Sequence, residues 1–204
     1  MIDEIARASG AAVSRETVGL LARYVDALLS ENTRQNLIGP ASEDDVWARH
    51  IVDSAQLLRL APRAGSWADI GSGAGLPGFV LGILSRQPIT LIEPRRLRAE
   101  FLERTRSALK LANVTVLQSS AGAATGRFDY ITARAVASSE ALLAMTAHLA
   151  HPGTIFLLPR GRSAQSELDA VTRTWQGGFR LEQSLTSADA AILVASGVRR
   201  KGGR

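Results

Sequence analysis

Apolar positions along this chain change their period part-way. Before about residue 62 they fall at helical spacing: Val18, Leu21, Val25, Leu28 and Leu29 follow Ser14, which suits an N-cap. A second amphipathic stretch follows Ser42, with Asp45 at the capping-box position and Val46, Ile51, Ala55 and Leu58 forming its stripe. Asn36 to Pro40, between the two, reads as a loop. From Trp67 onward, short apolar runs of strand length alternate with helical stretches. The predicted strands are Trp67–Ile70, Ile89–Ile92, Val114–Leu117, Phe128–Thr132, Thr154–Leu158, Arg180–Ser184 and Ala190–Ser196. The predicted helices are Pro77–Ser85, Arg95–Leu109, Ser139–His148 and Ser163–Trp175. Such alternation predicts an α/β fold with a mostly parallel sheet covered by helices on both faces. A short polar turn, with no helix, separates the last two strands, so they are predicted to pair as a C-terminal antiparallel hairpin. The expected organisation is an N-terminal helical segment (1–61) packed on a domain of residues 62–197, followed by a basic tail (198–204).

Composition narrows the function classes. At 46% hydrophobic and 21% charged, the 204 residues are those of a folded globular chain. The absence of cysteine excludes disulfides, thiolate metal sites and cysteine nucleophiles. No run of about 18 apolar residues is available to span a membrane. The first ten residues carry Asp3 and Glu4 without a signal-type apolar core, so a cytoplasmic monomer is expected. Basic residues number 24 against 19 acids, a net charge of +5, and all but Lys110 and Lys201 are arginine. Arginine's planar fork suits phosphates and guanine edges, which points to nucleic acid; genomic base composition would produce the same excess.

The sharpest local signal is Asp69-Ile70-Gly71-Ser72-Gly73-Ala74-Gly75-Leu76-Pro77-Gly78. A strand ends at Ile70, glycines recur at every second position, and a proline suits the first turn of the next helix. This is the place in a Rossmann-like sheet where ligands sit, at the carboxyl ends of the strands. Glu93 ends the next strand, 22 residues after Gly71, where a carboxylate can accept both hydroxyls of a ribose. A dinucleotide fingerprint would place Gly or Ala at position 76, where this chain has Leu76, and no Gly-Lys-Ser/Thr follows to make a P-loop. Asp69 would repel a diphosphate but suits a cationic amino-acid tail or sulfonium. Asp69, Gly71, Gly73 and Glu93 therefore point to S-adenosylmethionine, with a nicotinamide enzyme and a purely structural glycine turn as the alternatives.

With Asn36-Leu37-Ile38, Arg49-His50, Asp53-Ser54 and Thr132-Ala133-Arg134-Ala135, the glycine stretch closely resembles one family. It is the bacterial small-subunit ribosomal RNA guanine-N7 methyltransferase family, also called glucose-inhibited division protein B. The resemblance runs from about Asn36 to Val194 and implies a class I methyltransferase fold, S-adenosylmethionine as donor, and N7 of guanine-527 in 16S ribosomal RNA as target, free or within the small subunit. It places cofactor contacts at Gly71, Leu76, Ala121, Gly122 and Arg134. The stretch Ala121-Gly122-Ala123-Ala124 lacks the acid the family often has there, which leaves backbone groups for adenine. Arg160 stands where the family tends to have lysine, and reads as an RNA contact. Two rivals remain at this point: a non-catalytic RNA-binding protein that keeps the cofactor fold, and a small-molecule methyltransferase lidded by the N-terminal segment.

Several residues carry two readings. Arg134 is either a catalytic-pocket arginine touching cofactor or target base, or a partner of Asp129 or a helix end. His50 and Asp53, one helical turn apart, either pair locally or face the pocket or RNA. Arg95, Arg96 and Arg98 open a helix at the end unfavourable to cations, which points to RNA phosphates or else to a solvated face. Arg199, Arg200 and Lys201 either touch RNA backbone or merely solubilise. Trp47, Trp67 and Trp175 read as core, and the scattered histidines 50, 148 and 151 give no metal-ligand spacing. Guanine N7 is an in-plane lone pair, so its methylation demands no general base.

Overall fold

The computed structural model describes residues 1–202, the side chain of Ala41 excepted. Its strands are β1 (Trp67–Ile70), β2 (Ile89–Ile92), β3 (Val114–Leu117), β4 (Phe128–Ala133), β5 (Ala150–Arg160), β6 (Trp175–Gln183) and β7 (Ala191–Arg200). They form one sheet of order β3-β2-β1-β4-β5-β7-β6, in which β7 alone runs against its neighbours. Central strands alternate between two apolar layers. Trp67, Leu91, Tyr130 and Leu157 face one side; Ala68, Ile92, Ile131 and Phe156 face the other. Burial on both faces explains why apolar residues predominate in them without a two-residue alternation.

Helices α6 (Ser139–Thr146) and α7 (Ala164–Thr174) supply apolar residues to the second layer. The first layer is covered by α4 (Gly78–Ser85), α5 (Arg96–Ala108) and the N-terminal elements. Among the latter, α2 (Arg15–Gln35) begins as expected, with Ser14 Oγ accepting from the Thr17 backbone N–H at 3.2 Å. It buries Leu21, Tyr24, Val25 and Leu28. An additional helix, α1 (Ile2–Ser9), precedes it; acids open it, Gly10 closes it in the left-handed conformation, and Ile5 and Ala8 enter the core.

Two expectations need correction. The stretch expected as one α-helix after Ser42 is irregular: a π-helical turn (Trp47–Val52), a single α-turn α3 (Asp53–Ala55) and a 3-10 stretch (Gln56–Leu60). Side chains intrude on its backbone ladder, Ser54 Oγ donating to the His50 carbonyl at 2.6 Å and Arg134 to the Arg49 carbonyl at 3.3 Å. The basic tail is not separate from the sheet either. β7 continues to Arg200, whose partner is Trp175, and Lys201 N–H donates to the Thr174 carbonyl at 2.8 Å. Gly203 and Arg204 lie outside the described residues. Among those described, no helix is long and apolar enough to cross a membrane.

Candidate functional site

Strand order reverses between β1 and β4, and the loops leaving their carboxyl ends diverge to open a crevice. Ile70 is in register with Ala133, so Gly71 and Arg134 leave the sheet side by side. A cavity of about 500 Å³ opens there. Its floor is the glycine loop, Gly71 to Ala74 with Leu76; Glu93, Arg95 and Arg98 line another side, and Leu37 to Gly39 close over it.

The loop is held by its own backbone. Gly71 and Ser72 N–H both donate to the Ile92 carbonyl, at 2.8 and 3.2 Å. Gly71 and Gly73 have φ of +64° and +50°, a region that side-chain-bearing residues rarely enter. The Glu93 carboxylate, buried at the end of β2, accepts from Gly73 N–H and from Arg95 N–H, each at 2.9 Å. Each of its oxygens keeps one further lone pair, and the residue lines the cavity. The N-terminal segment braces the loop from behind: Tyr24 donates its hydroxyl to the Ala74 carbonyl at 3.0 Å and packs on Phe79. Asn32 clamps both backbone groups of Ile38, at 2.8 and 3.2 Å, which fixes the covering stretch Leu37–Gly39.

Asp69, expected on the cavity wall, lies beneath the loop instead. Its Oδ2 accepts from Gly78 N–H at 3.0 Å, at the start of α4, while Oδ1 is buried with no partner. Burial pushes this carboxyl up to about 7, opposed by the Gly78 hydrogen bond.

Arg134 stands at the end of β4 and is held by the irregular helical segment. Its Nη2 reaches His50 Nδ1 at 2.6 Å, and Nη1 lies 3.9 Å from Asp53 Oδ2. His50 and Asp53 thus converge on Arg134 rather than pair with each other. Asp129, the other partner considered, is taken by the Ser66 backbone N–H and hydroxyl, both at 2.9 Å. Burial and the adjacent guanidinium lower His50 to about 4, so the ring is neutral near pH 7. Because Arg134 can only donate, Nδ1 accepts and Nε2 carries the proton, which it gives to Ser42 Oγ at 3.0 Å. Ser42 in turn donates to the Gly39 carbonyl at 2.8 Å, linking Arg134 to the stretch over the cavity.

The remaining candidates scatter. Ala121 and Gly122 lie in the turn after β3, outside the cavity lining. Arg95 lines the cavity, but Arg96 lies on the exposed face of α5 in an ion pair with Glu100. Arg160 is not a surface cation: its buried Nε bonds Glu167 Oε2 at 2.8 Å and Ser139 Oγ at 2.9 Å. Arg199, Arg200 and Lys201 lie at the other end of the strands, roughly 30 Å from the cavity end at the usual rise per strand residue. Ser42 and the Leu37–Gly39 cover were not singled out as site residues from sequence, although Asn36-Leu37-Ile38 and Arg49-His50 marked the neighbourhood; Arg98, read there as an RNA contact or a solvated residue, lines the cavity. Among the described residues, no three potential metal-ligating side chains gather at one place.

Comparison with known proteins matches residues 18–191 to the family model described as rRNA small subunit methyltransferase G. The chain belongs to this family. Ribosomal RNA small subunit methyltransferase G of Novosphingobium aromaticivorans is 44% identical over 94% of this chain and 83% of its own length. The protein of the same name from Zymomonas mobilis subsp. mobilis is 41% identical, covering 93% of this chain and 90% of its own. Among solved structures, a SAM dependent methyltransferase from Aquifex aeolicus superposes with a TM-score of 0.58 at 16% identity, over 78% of this chain and 94% of that one. That likeness establishes a class I methyltransferase fold for the family member described here.

Proposed function

We propose that the chain methylates N7 of guanine-527 in 16S ribosomal RNA, with S-adenosylmethionine as donor. The observation that carries this reading is the cavity in which the glycine loop, Glu93 and an anchored Arg134 meet at the sheet's switch point, in a member of this family.

The residues present fit the donor. The positive-φ glycines leave backbone free for close approach, and Glu93 retains lone pairs for a ribose diol. Asp69 Oδ1, buried and unpartnered, lies beneath the loop, where a cationic ligand would favour its carboxylate form. When bound, the donor supplies a methyl on cationic sulfur, and the N7–carbon bond forms as the carbon–sulfur bond breaks, its electron pair staying on sulfur. No proton needs removal, so no base is required; the Nδ1 lone pair of His50 is in any case engaged by Arg134. The protein's part is therefore positioning and electrostatics. Arg134, held by His50, the Arg49 carbonyl and Asp53, is a preorganised cation on the cavity wall.

The test is transfer of labelled methyl to 16S ribosomal RNA, followed by borohydride and aniline cleavage, which cuts at N7-methylguanine. Cleavage at guanine-527 is expected. Label on another base or atom would refute the reading.

A further inference from the structure

A second cavity, of about 380 Å³, adjoins the first, and Arg134 with Ala135 forms the wall they share. Asp53, Gln56, Arg160 and Ser184 line its remaining sides. Neither the glycine loop nor Glu93 lines it.

Its wall has open hydrogen-bonding groups of both kinds. Arg134 commits Nη2 to His50 and the Arg49 carbonyl, yet Nη1 is buried without an acceptor. Arg160 commits Nε to Glu167 and Ser139 and Nη1 to the Pro159 carbonyl, yet Nη2 is likewise buried without one. Unmet buried donors cost free energy that an incoming acceptor recovers. Asp53 offers the complement. Its Oδ1 accepts from Gln56 at 2.8 Å and Thr186 at 2.6 Å, whereas Oδ2 has only Arg134 Nη1 at 3.9 Å, beyond hydrogen-bond reach. A ligand carrying a carbonyl beside N–H groups matches this wall.

We propose that the second cavity seats the target guanine, with O6 accepting from Arg134 and Arg160 and the N1–H and N2–H edge donating to Asp53 Oδ2. The proposal rests on reading the chain as a guanine-N7 methyltransferase. N7 neighbours O6 on the purine, so a base held through O6 at the shared wall turns N7 toward the donor cavity. A carboxylate on the N1–H side returns electron density to the ring and offsets the pull of the arginines on O6. Adenine would set an amino donor against the guanidinium donors and bring no N1–H to Asp53. Its exclusion follows from the same wall.

The test uses 16S ribosomal RNA ligated with guanine, inosine (no N2 amino group) or 2-aminopurine (no O6) at the target position. Single-turnover methylation is followed with saturating donor for the wild type and Asp53→Ala, and donor affinity is measured by calorimetry alongside. The wild type is expected to methylate inosine and 2-aminopurine at least about tenfold more slowly than guanine. Asp53→Ala is expected to lose the preference for guanine over inosine, its rates on the two substrates becoming equal and both falling below wild type, since inosine too loses the acceptor for its N1–H. Equal wild-type rates on guanine and inosine would overturn the pocket whatever the variant does. So would an Asp53→Ala enzyme, still binding donor, that keeps the wild-type preference. Failure of the wild type to methylate guanine RNA at all would bring down the functional reading itself, a result distinguishable from either.

Discussion

His50 is uncharged near pH 7 because it is buried against the Arg134 guanidinium, and its value falls to about 4 from an unfolded value near 6.5. A lowered folded value contributes stability that is complete above the unfolded one and is lost as pH falls from about 6.5 through 4. Wild-type urea midpoints should therefore drop more steeply over that interval than those of His50→Gln; parallel curves would show that the ring does not titrate as placed. Asp69 has the opposite sign. Its folded value of about 7 exceeds the unfolded one near 3.8, so its contribution is complete below 3.8 and lost as pH rises through 7. A cation brought above it favours the carboxylate, so donor binding should release a proton below pH 7 and tighten as pH rises to 8. Asp69→Asn should abolish that proton release, measured by calorimetry in buffers of differing ionisation heat, and weaken the donor at least about tenfold.

At the scale of elements, the glycine loop and the basic segments give separable predictions. Gly73 has φ +50° and bonds Glu93 through its N–H, although a Cβ there would meet no atom closer than 3.6 Å. Gly73→Val should therefore lose donor binding through backbone strain while far-UV circular dichroism stays near wild type; tight binding retained would contradict the loop's role. Arg95 and the pair Arg199 and Arg200 sit at opposite ends of the strands, so charge reversal at each should lower RNA affinity and flatten its salt dependence independently, the slopes adding when combined. An unchanged slope would return that group to a solvated face.

These elements differ in how far they could be read from the chain. β1 to β4 fall within a residue of their predicted bounds because each is a short, mainly β-branched or apolar segment flanked by polar residues, glycine or proline. β5, β6 and β7 run longer than predicted, since their outer ends are polar or glycine-bearing and exposed, and only pairing reveals them. The eight residues of α1 are too few for an isolated helix, and the core supplies what propensity does not. Residues 47–60 keep an α-helical period, yet Arg134, 85 positions after Arg49, reaches into the ladder; no local pattern encodes that contact. Glu93 and the glycines were legible because their chemistry follows from spacing. The bracing of Arg134 by His50, Ser42 and Asp53 was not, because it is assembled from two distant segments.

Taken as a whole, the molecule divides its labour between two cavities that meet at one arginine. The first is lined by positive-φ backbone and the Glu93 carboxylate; the second by arginines with unpartnered N–H groups and by one carboxylate oxygen without a hydrogen bond. The reaction asks neither to remove a proton. His50, the one imidazole on the first cavity's wall, is neutral, but its acceptor nitrogen is taken by Arg134 and its other nitrogen donates to Ser42. Guanine N7 carries its lone pair in the neutral base, so the reactive form is already present. With donor saturating, which removes the titration of Asp69 from the measured step, single-turnover rates should vary by less than about twofold between pH 6.5 and 8.5. A histidine base with an ordinary value would instead impose its own titration across the lower part of that range. Arg134→Ala should lower the rate of the chemical step by about a hundredfold, the size seen when one preorganised electrostatic contact is lost, and should leave the pH profile flat. A profile that follows a single ionisation near 6.5 in the wild type and flattens only when His50 is replaced would assign the proton chemistry to His50 and overturn the base-free mechanism.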